Sequence, residues 1–125
     1  MWRVEFDPEA RLLSIRLHEH VTPRDVRDLG RAHTQALACT AGQPFRALLD
    51  LRRLFPLEGE AVELLTALKK ACVEHEGFAG MVVLADSPTV AMQQHHTRVR
   101  SGTNPEIELV TLDEAQARGF LARAL

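Results

Sequence analysis

The feature that most constrains the fold of this chain is an apolar run followed by a loop and an amphipathic helix, within Leu48–Leu68. The residues Ala47–Leu51 form a run typical of a buried strand, Arg52 and Arg53 lie in the loop, and the helix opens near Glu58. In parallel α/β proteins, ligands and partners meet the loop after a strand's carboxyl end and the start of the next helix. This segment therefore predicts a fold class and the place of a site.

Hydrophobic periodicity predicts the remaining strands and the helices between them. Apolar and polar residues alternate in Trp2–Phe6 and Leu13–Leu17, which indicates an opening antiparallel hairpin. Later apolar runs indicate strands covered on both faces: Phe45–Leu51, Gly80–Ala85 and the short Ile107–Val110. Helical patterns follow the hairpin and each later strand. The sequence thus predicts an α/β fold, with a mixed sheet that opens with a hairpin and continues with parallel strands alternating with helices.

Capping residues predict where the helices begin. Thr22 before Pro23 favours a helix start, with an end near Gly42. Ser87 is expected to cap a third, unusually polar helix over Thr89–Arg100. The tetrapeptide Thr111-Leu112-Asp113-Glu114 fits a capping box that opens the last helix.

Length and composition exclude several classes of protein. A chain of 125 residues with 46% hydrophobic content fits one domain, 1–125, with its own core. The net charge is −2 and the basic residues form no run, so we expect no nucleic-acid partner. No apolar stretch approaches the roughly 20 residues of a membrane helix, so we expect no membrane insertion and a cytoplasmic location. Cys39 and Cys72 are expected to be reduced packing thiols.

The strand ending at Asp50-Leu51, its loop and the following helix start resemble the signature of STAS domains, the family of bacterial anti-sigma-factor antagonists and sulphate-transporter tails. In that family a strand ending in Asp-Leu precedes Asp-Ser-Ser-Gly or Asp-Ser-Thr-Gly at a helix start, and a partner kinase phosphorylates the second hydroxyl residue. Leu57 fits the apolar position before this motif. The chain departs from the motif at Glu58 for Asp, Gly59 and Glu60 for the two hydroxyl residues, and Ala61 for Gly.

The resemblance implies a non-enzymatic protein-interaction module of the divergent, non-phosphorylatable kind. Its partner would be an anti-sigma-factor kinase-like protein or a larger regulatory assembly, with no cofactor. The nearby loop His18–Asp25 would contribute to the same surface. The expected partner-binding residues are Arg52, Arg53, Phe55, Leu57, Glu58, Gly59 and Glu60.

Each of these residues also has a plain structural interpretation. Glu60 would hold the surface in a phosphorylated-like state, or be an ordinary acidic residue of a first helical turn. Arg52 and Arg53 would bind an anion or a partner's carboxylates, or be exposed loop charges paired with Glu58 or Glu60. Phe55 and Leu57 would form an exposed apolar anchor, unless one or both fold back onto the sheet. The sequence leaves these alternatives open.

Other functions fit the sequence less well. Divergent STAS members are compared with lipid-transfer domains of the Sec14 kind, so the alternative is a small-molecule or lipid-binding domain with a mostly apolar pocket of roughly 300 Å³ or more.

An enzyme would have to use His95, His96 and Ser87, although no catalytic motif accompanies them. Adjacent histidines point about 100° apart on a helix, and the i, i+4 pairs of helical zinc sites are absent, so we predict no metal site. The helix around them is either a polar partner surface or a solvated helix at the sheet edge.

The edges of the sheet give one further expectation. An open α/β sheet keeps two strands without a second neighbour. The opening hairpin supplies one of these edges, and it offers a route to a homodimer.

Overall fold

The computed structural model describes residues 1–125 and confirms the predicted α/β class. Ten helices and strands follow one another along the chain, and their bounds are β1 Trp2–Asp7, β2 Leu12–Leu17, α1 Pro23–Ala38, β3 Phe45–Leu51, α2 Glu60–Glu74, β4 Phe78–Ala85, α3 Pro88–His96, α4 Arg98–Ser101, β5 Glu108–Thr111 and α5 Glu114–Leu121. None of the helices has the length and apolar character needed to cross a membrane.

The five strands form one mixed sheet whose spatial order equals their order in the chain. β1 pairs with β2 antiparallel, with Phe6 opposite Leu13, and every later neighbour is parallel. The register places Ile15, Leu49 and Val83 side by side across β2, β3 and β4. The carboxyl ends of β2 and β3 therefore lie next to each other, where their outgoing loops can meet.

Helices cover the two faces of the sheet unequally. α1, α2 and α3 pack on one face and enclose the main core, in which Leu13, Leu49 and Leu65 are buried. α5 packs alone on the other face, where Phe120 and Ala117 cover Val82 and Leu84. This single helix reaches only the β3–β5 side, so the same face of β1 and β2 carries exposed and half-buried polar residues.

The structure confirms two predicted helix caps and corrects the extent of one helix and the cap of another. Thr22 and Ser87 cap their helices as predicted. The third helix breaks at Thr97 into α3 and α4 instead of running from Thr89 to Arg100. α5 is capped by Asp113, whose side chain accepts from two backbone N–H groups, while Thr111 lies in β5.

The two cysteines differ in their surroundings. Cys72 packs in the core, where burial raises the pKa of its thiol to about 12. Cys39 is exposed at the end of α1, so the expectation that it packs in the interior was wrong.

A buried ion cluster joins α2, α3, α4 and β5. The Glu108 side chain is fully buried, and its Oε2 lies 2.5 Å from Nζ of Lys69, whose side chain is 1% exposed. This contact is an ion pair without hydrogen-bond geometry. Arg98 Nε donates to Glu108 Oε1 at 2.8 Å, and Lys69 Nζ donates to Gln94 Oε1 at 3.0 Å. Burial lowers the pKa of Lys69 although Glu108 opposes that change.

Removing the carboxylate should destabilise the fold more than removing the lysine. Glu108→Gln leaves Lys69 and Arg98 without their counter-charge, and breaking a buried pair in this way costs about 3–5 kcal/mol. Lys69→Met should cost less, because Glu108 keeps Arg98. Urea denaturation of the two variants checks this order, and equal losses would contradict it.

Burial of His33 predicts a pH-dependent stability. The side chain is 2% exposed, and burial, with a smaller contribution from His75, lowers its pKa to about 4 from an ordinary value of 6.5. The unfolded chain therefore takes up a proton at higher pH than the folded one. The stabilisation is complete above pH 6.5 and is lost as pH falls towards 4, by on the order of 3 kcal/mol. His33→Leu should flatten this part of the unfolding free energy measured against pH, relative to the unchanged protein.

Candidate functional site

The candidate site is an open groove of about 680 Å³ at the carboxyl ends of β2 and β3. One wall comes from the loop between β2 and α1, and the other from the loop between β3 and α2. Its lining residues are His20, Val21, Thr22, Pro23, Phe55, Pro56, Glu58, Gly59 and Ala61. This is the place at which the sequence predicted a site, and the predicted neighbouring loop supplies four of its nine lining residues.

Backbone hydrogen bonds hold the two loops together. Glu19 N donates to Arg53 O at 2.7 Å, and Phe55 N donates to Glu19 O at 3.1 Å. These bonds form an isolated parallel bridge between Glu19 and Leu54, beyond the ends of β2 and β3. Leu54 is buried in the main core beneath them. The walls of the groove are therefore fixed by the sheet they extend.

The loop after β3 turns sharply at Arg53. This residue has φ 65°, in the left-handed region that non-glycine residues seldom adopt. Its backbone N–H donates to both carboxylate oxygens of Asp86, each at 3.0 Å, which anchors the turn to the end of β4. Its exposed guanidinium lies 3.8 Å from Glu19, so Arg53 remains available at the surface.

Phe55 and Leu57 lie in the same loop but differ in burial. Leu57 is 5% exposed and belongs to the main core, whereas Phe55 is 60% exposed beside the groove. Gln93 of α3 clamps the backbone of Leu57: Leu57 N donates to Oε1 at 3.3 Å and Nε2 donates to Leu57 O at 2.9 Å. Leu57 thus anchors the loop, and Phe55 is the apolar side chain that remains exposed.

Two helices begin at the groove, and their first turns differ. α1 begins with a complete capping box, in which Thr22 and Asp25 exchange side-chain to backbone bonds. The bond with the Thr22 backbone lowers the pKa of Asp25. α2 begins after Gly59, which has φ 51° and offers no side-chain cap. Its first residue, Glu60, is exposed and forms an ion pair with Arg27 of α1.

Arg52 lies away from the groove. Its guanidinium donates to both carboxylate oxygens of Asp50, at 3.0 and 2.8 Å, and lies 3.7 Å from Glu114 of α5. Burial opposes ionisation of Asp50, but the bonds from Arg52 hold its pKa below the ordinary value. Arg52 is therefore engaged at the α5 side, and it pairs with neither Glu58 nor Glu60.

The structure therefore gathers part of the predicted set. Glu58 and Gly59 line the groove with Phe55, and Glu60 begins the adjoining helix. Arg53 lies at the turn beneath them, whereas Leu57 is buried and Arg52 is on the far side. The lining residues His20, Val21 and Pro23 lie in the loop His18–Asp25 that the sequence placed beside the site, but none of them was predicted individually as a binding residue. The signal for them was the adjacency of β2 and β3 in a parallel sheet, which places both outgoing loops at one end.

Two of the polar side chains of α3 have structural contacts. Gln93 and Gln94 bind Leu57 and Lys69, while His95 and His96 are exposed. None of the grooves on the molecule is lined by either histidine or by Ser87, which accepts from Val90 N as a helix cap. No three His, Cys, Asp or Glu side chains are grouped to hold a metal ion.

Comparison with protein-family models and with curated proteins adds no relative. No protein-family model matches the chain, and no curated protein is significantly similar to it. The resemblance to STAS domains thus stays a prediction from residues and element order.

Proposed function

We propose that this protein is a non-enzymatic, STAS-like interaction module that binds a protein partner at the groove between the β2–α1 and β3–α2 loops. The observation that carries the proposal is the exposure of Phe55, a large apolar side chain. The loop that carries it is held by backbone hydrogen bonds to Glu19 and by the bond from Leu57 to Gln93. Aromatic side chains on rigid backbone are preferred anchors of protein interfaces, because little conformational entropy is lost when a partner covers them.

The surroundings of Phe55 suit a protein partner. The groove is wide and open, and it mixes apolar lining with His20 and Glu58. Arg53 adds an exposed cation at the same end of the sheet. A central aromatic residue with a polar, charged rim is the usual composition of a protein interface. The partner class implied by the resemblance is an anti-sigma-factor kinase-like protein or a larger regulatory assembly.

The first turn of α2 supports a binding surface that is not switched by phosphorylation. Glu60 stands at the position equivalent to the family's phospho-acceptor, and its carboxylate is held by Arg27. The segment from Arg52 to Ala61 contains no hydroxyl side chain that a kinase could modify. The Glu60 carboxylate supplies a permanent negative charge near the helix start, where the helix dipole favours it. We infer a surface that is not regulated by phosphorylation at this position.

The size of the groove favours one alternative, a small-molecule or lipid-binding domain. Its volume of about 680 Å³ would admit a ligand of drug-like size. A lipid site would need a mostly apolar, enclosed cavity, whereas this groove is open and partly polar. Native mass spectrometry of freshly purified protein distinguishes the two functions, since a co-purified small ligand would favour the alternative.

Phe55→Ala should weaken partner binding without weakening the fold. Truncating a central aromatic anchor costs about 2 kcal/mol or more, which raises Kd about 30-fold. The partner is first identified by affinity capture with the unchanged protein, and Kd is then measured by calorimetry. Met92→Ala is the matched control, because Met92 is 56% exposed but does not line the groove. Equal effects of the two substitutions would contradict the proposed surface.

Glu60→Ser should create a phosphorylation site. If position 60 is equivalent to the family's acceptor, a serine kinase of the anti-sigma-factor class should phosphorylate this variant and leave the unchanged segment unmodified. The substitution breaks only an exposed ion pair, worth up to about 1 kcal/mol, so the helix should persist. Peptide mass spectrometry after incubation with ATP provides the readout. Glu58→Ser is the control, and phosphate on that variant alone would place the equivalence elsewhere.

A further inference from the structure

The two edges of the sheet are not equally protected. β5 is only four residues long and follows a turn that contains Pro105. β1 spans six residues, Trp2–Asp7, and contains no proline, glycine or bulge. A long, regular edge strand is a ready template for another strand, and proteins usually shorten or interrupt such edges.

The backbone of β1 presents unpaired groups at this edge. His18 N donates to Met1 O at 3.0 Å, and Met1 N donates to His18 O at 3.1 Å. Met1 and His18 are therefore a hydrogen-bonded pair, from which the alternation along the β1–β2 ladder can be counted. In an antiparallel ladder, successive residues point their N–H and C=O groups alternately towards and away from the partner strand. The backbone groups of Trp2, Val4 and Phe6 therefore point away from β2, towards the free edge.

The side chains of β1 are complementary to a second copy of β1. In an antiparallel pair with a two-fold axis at Val4, Arg3 of each copy lies opposite Glu5 of the other. In that register the two Val4 residues hydrogen-bond to each other through the N–H and C=O groups that β2 does not use. Both Arg3–Glu5 pairs then occupy non-hydrogen-bonded positions, where opposite side chains lie closer together. A two-fold axis at Arg3 or at Glu5 would instead place like charges opposite each other, which is destabilising.

Apolar side chains lie beside this edge on the helix side of the sheet. Trp2, Val4 and Phe6 are only half-buried, although they pack against the main core. A shallow groove of about 430 Å³ runs between β1 and α1, with Ala32 and Ala36 in its wall. A second copy seated on the edge would cover this surface with the same residues of its own.

We propose that the protein forms a two-fold homodimer in which the two β1 strands pair antiparallel about Val4 and join the sheets into one of ten strands. Such an isologous interface uses the same patch on both copies, as most dimers of identical chains do. The grooves at the carboxyl ends of β2 and β3 lie outside it, so each dimer carries two copies of the candidate site. The inference rests on β1 alone and holds whatever the groove binds.

Charge reversal tests both the dimer and its register. Sedimentation velocity should show a dimer for the unchanged protein, and monomers for Arg3→Glu and for Glu5→Arg, because each reversal places like charges opposite each other. Mixing the two variants should restore a dimer, since every introduced charge then faces its opposite. Both side chains are exposed, so circular dichroism should show an unchanged fold.

A second variant tests the backbone contact. Val4→Pro removes a backbone N–H that the β1–β2 ladder does not use, and proline is tolerated at sheet edges, so the variant should fold and remain monomeric. The proposal is overturned if the unchanged protein stays monomeric up to its highest soluble concentration. It is also overturned if the charge variants remain dimeric, or if mixing the two monomeric variants restores no dimer.

Discussion

The carboxylate of Glu108 is the interaction on which the arrangement of the second half of the chain depends. It lies at the start of β5, and its two oxygens meet Lys69 of α2 and Arg98 of α4. Lys69 also donates to Gln94, which draws α3 into the same cluster. Because isolated charges are costly in the interior, these four elements are stable only in the arrangement that keeps the charges together. This internal role accounts for two of the polar residues of α3 and α4, Gln94 and Arg98.

Gln93 connects the Glu108 cluster to the candidate site. Gln93 precedes Gln94 on α3, and its amide binds both backbone groups of Leu57. These bonds hold Leu57 in the core, and Phe55 of the same loop is exposed. A partner that covers Phe55 would meet a preformed surface, so little ordering free energy would be lost on binding.

The unequal covering of the sheet accounts for the proposed assembly. α5 packs only on the side of β3, β4 and β5, and β1 is reached by α1 on one face alone. The outer strand therefore has a free backbone edge, a polar face and a half-covered apolar face. An edge of this kind favours pairing with another strand unless charge prevents it. Here the order of Arg3 and Glu5 favours pairing with an identical strand.

The sequence by itself determined the alternation of strands and helices, the strand Phe45–Leu51 and the end of the sheet at which a groove forms, because strand alternation, apolar runs and helix starts are local patterns. Only the tertiary structure decided that Leu57 is buried while Phe55 is exposed, and that Arg52 is held by Asp50 against α5. It also decided which residues surround Glu108. Side chains of similar hydrophobicity or equal charge look alike in a sequence. Their roles differ because contacts with residues far away in the chain decide which of them reach water.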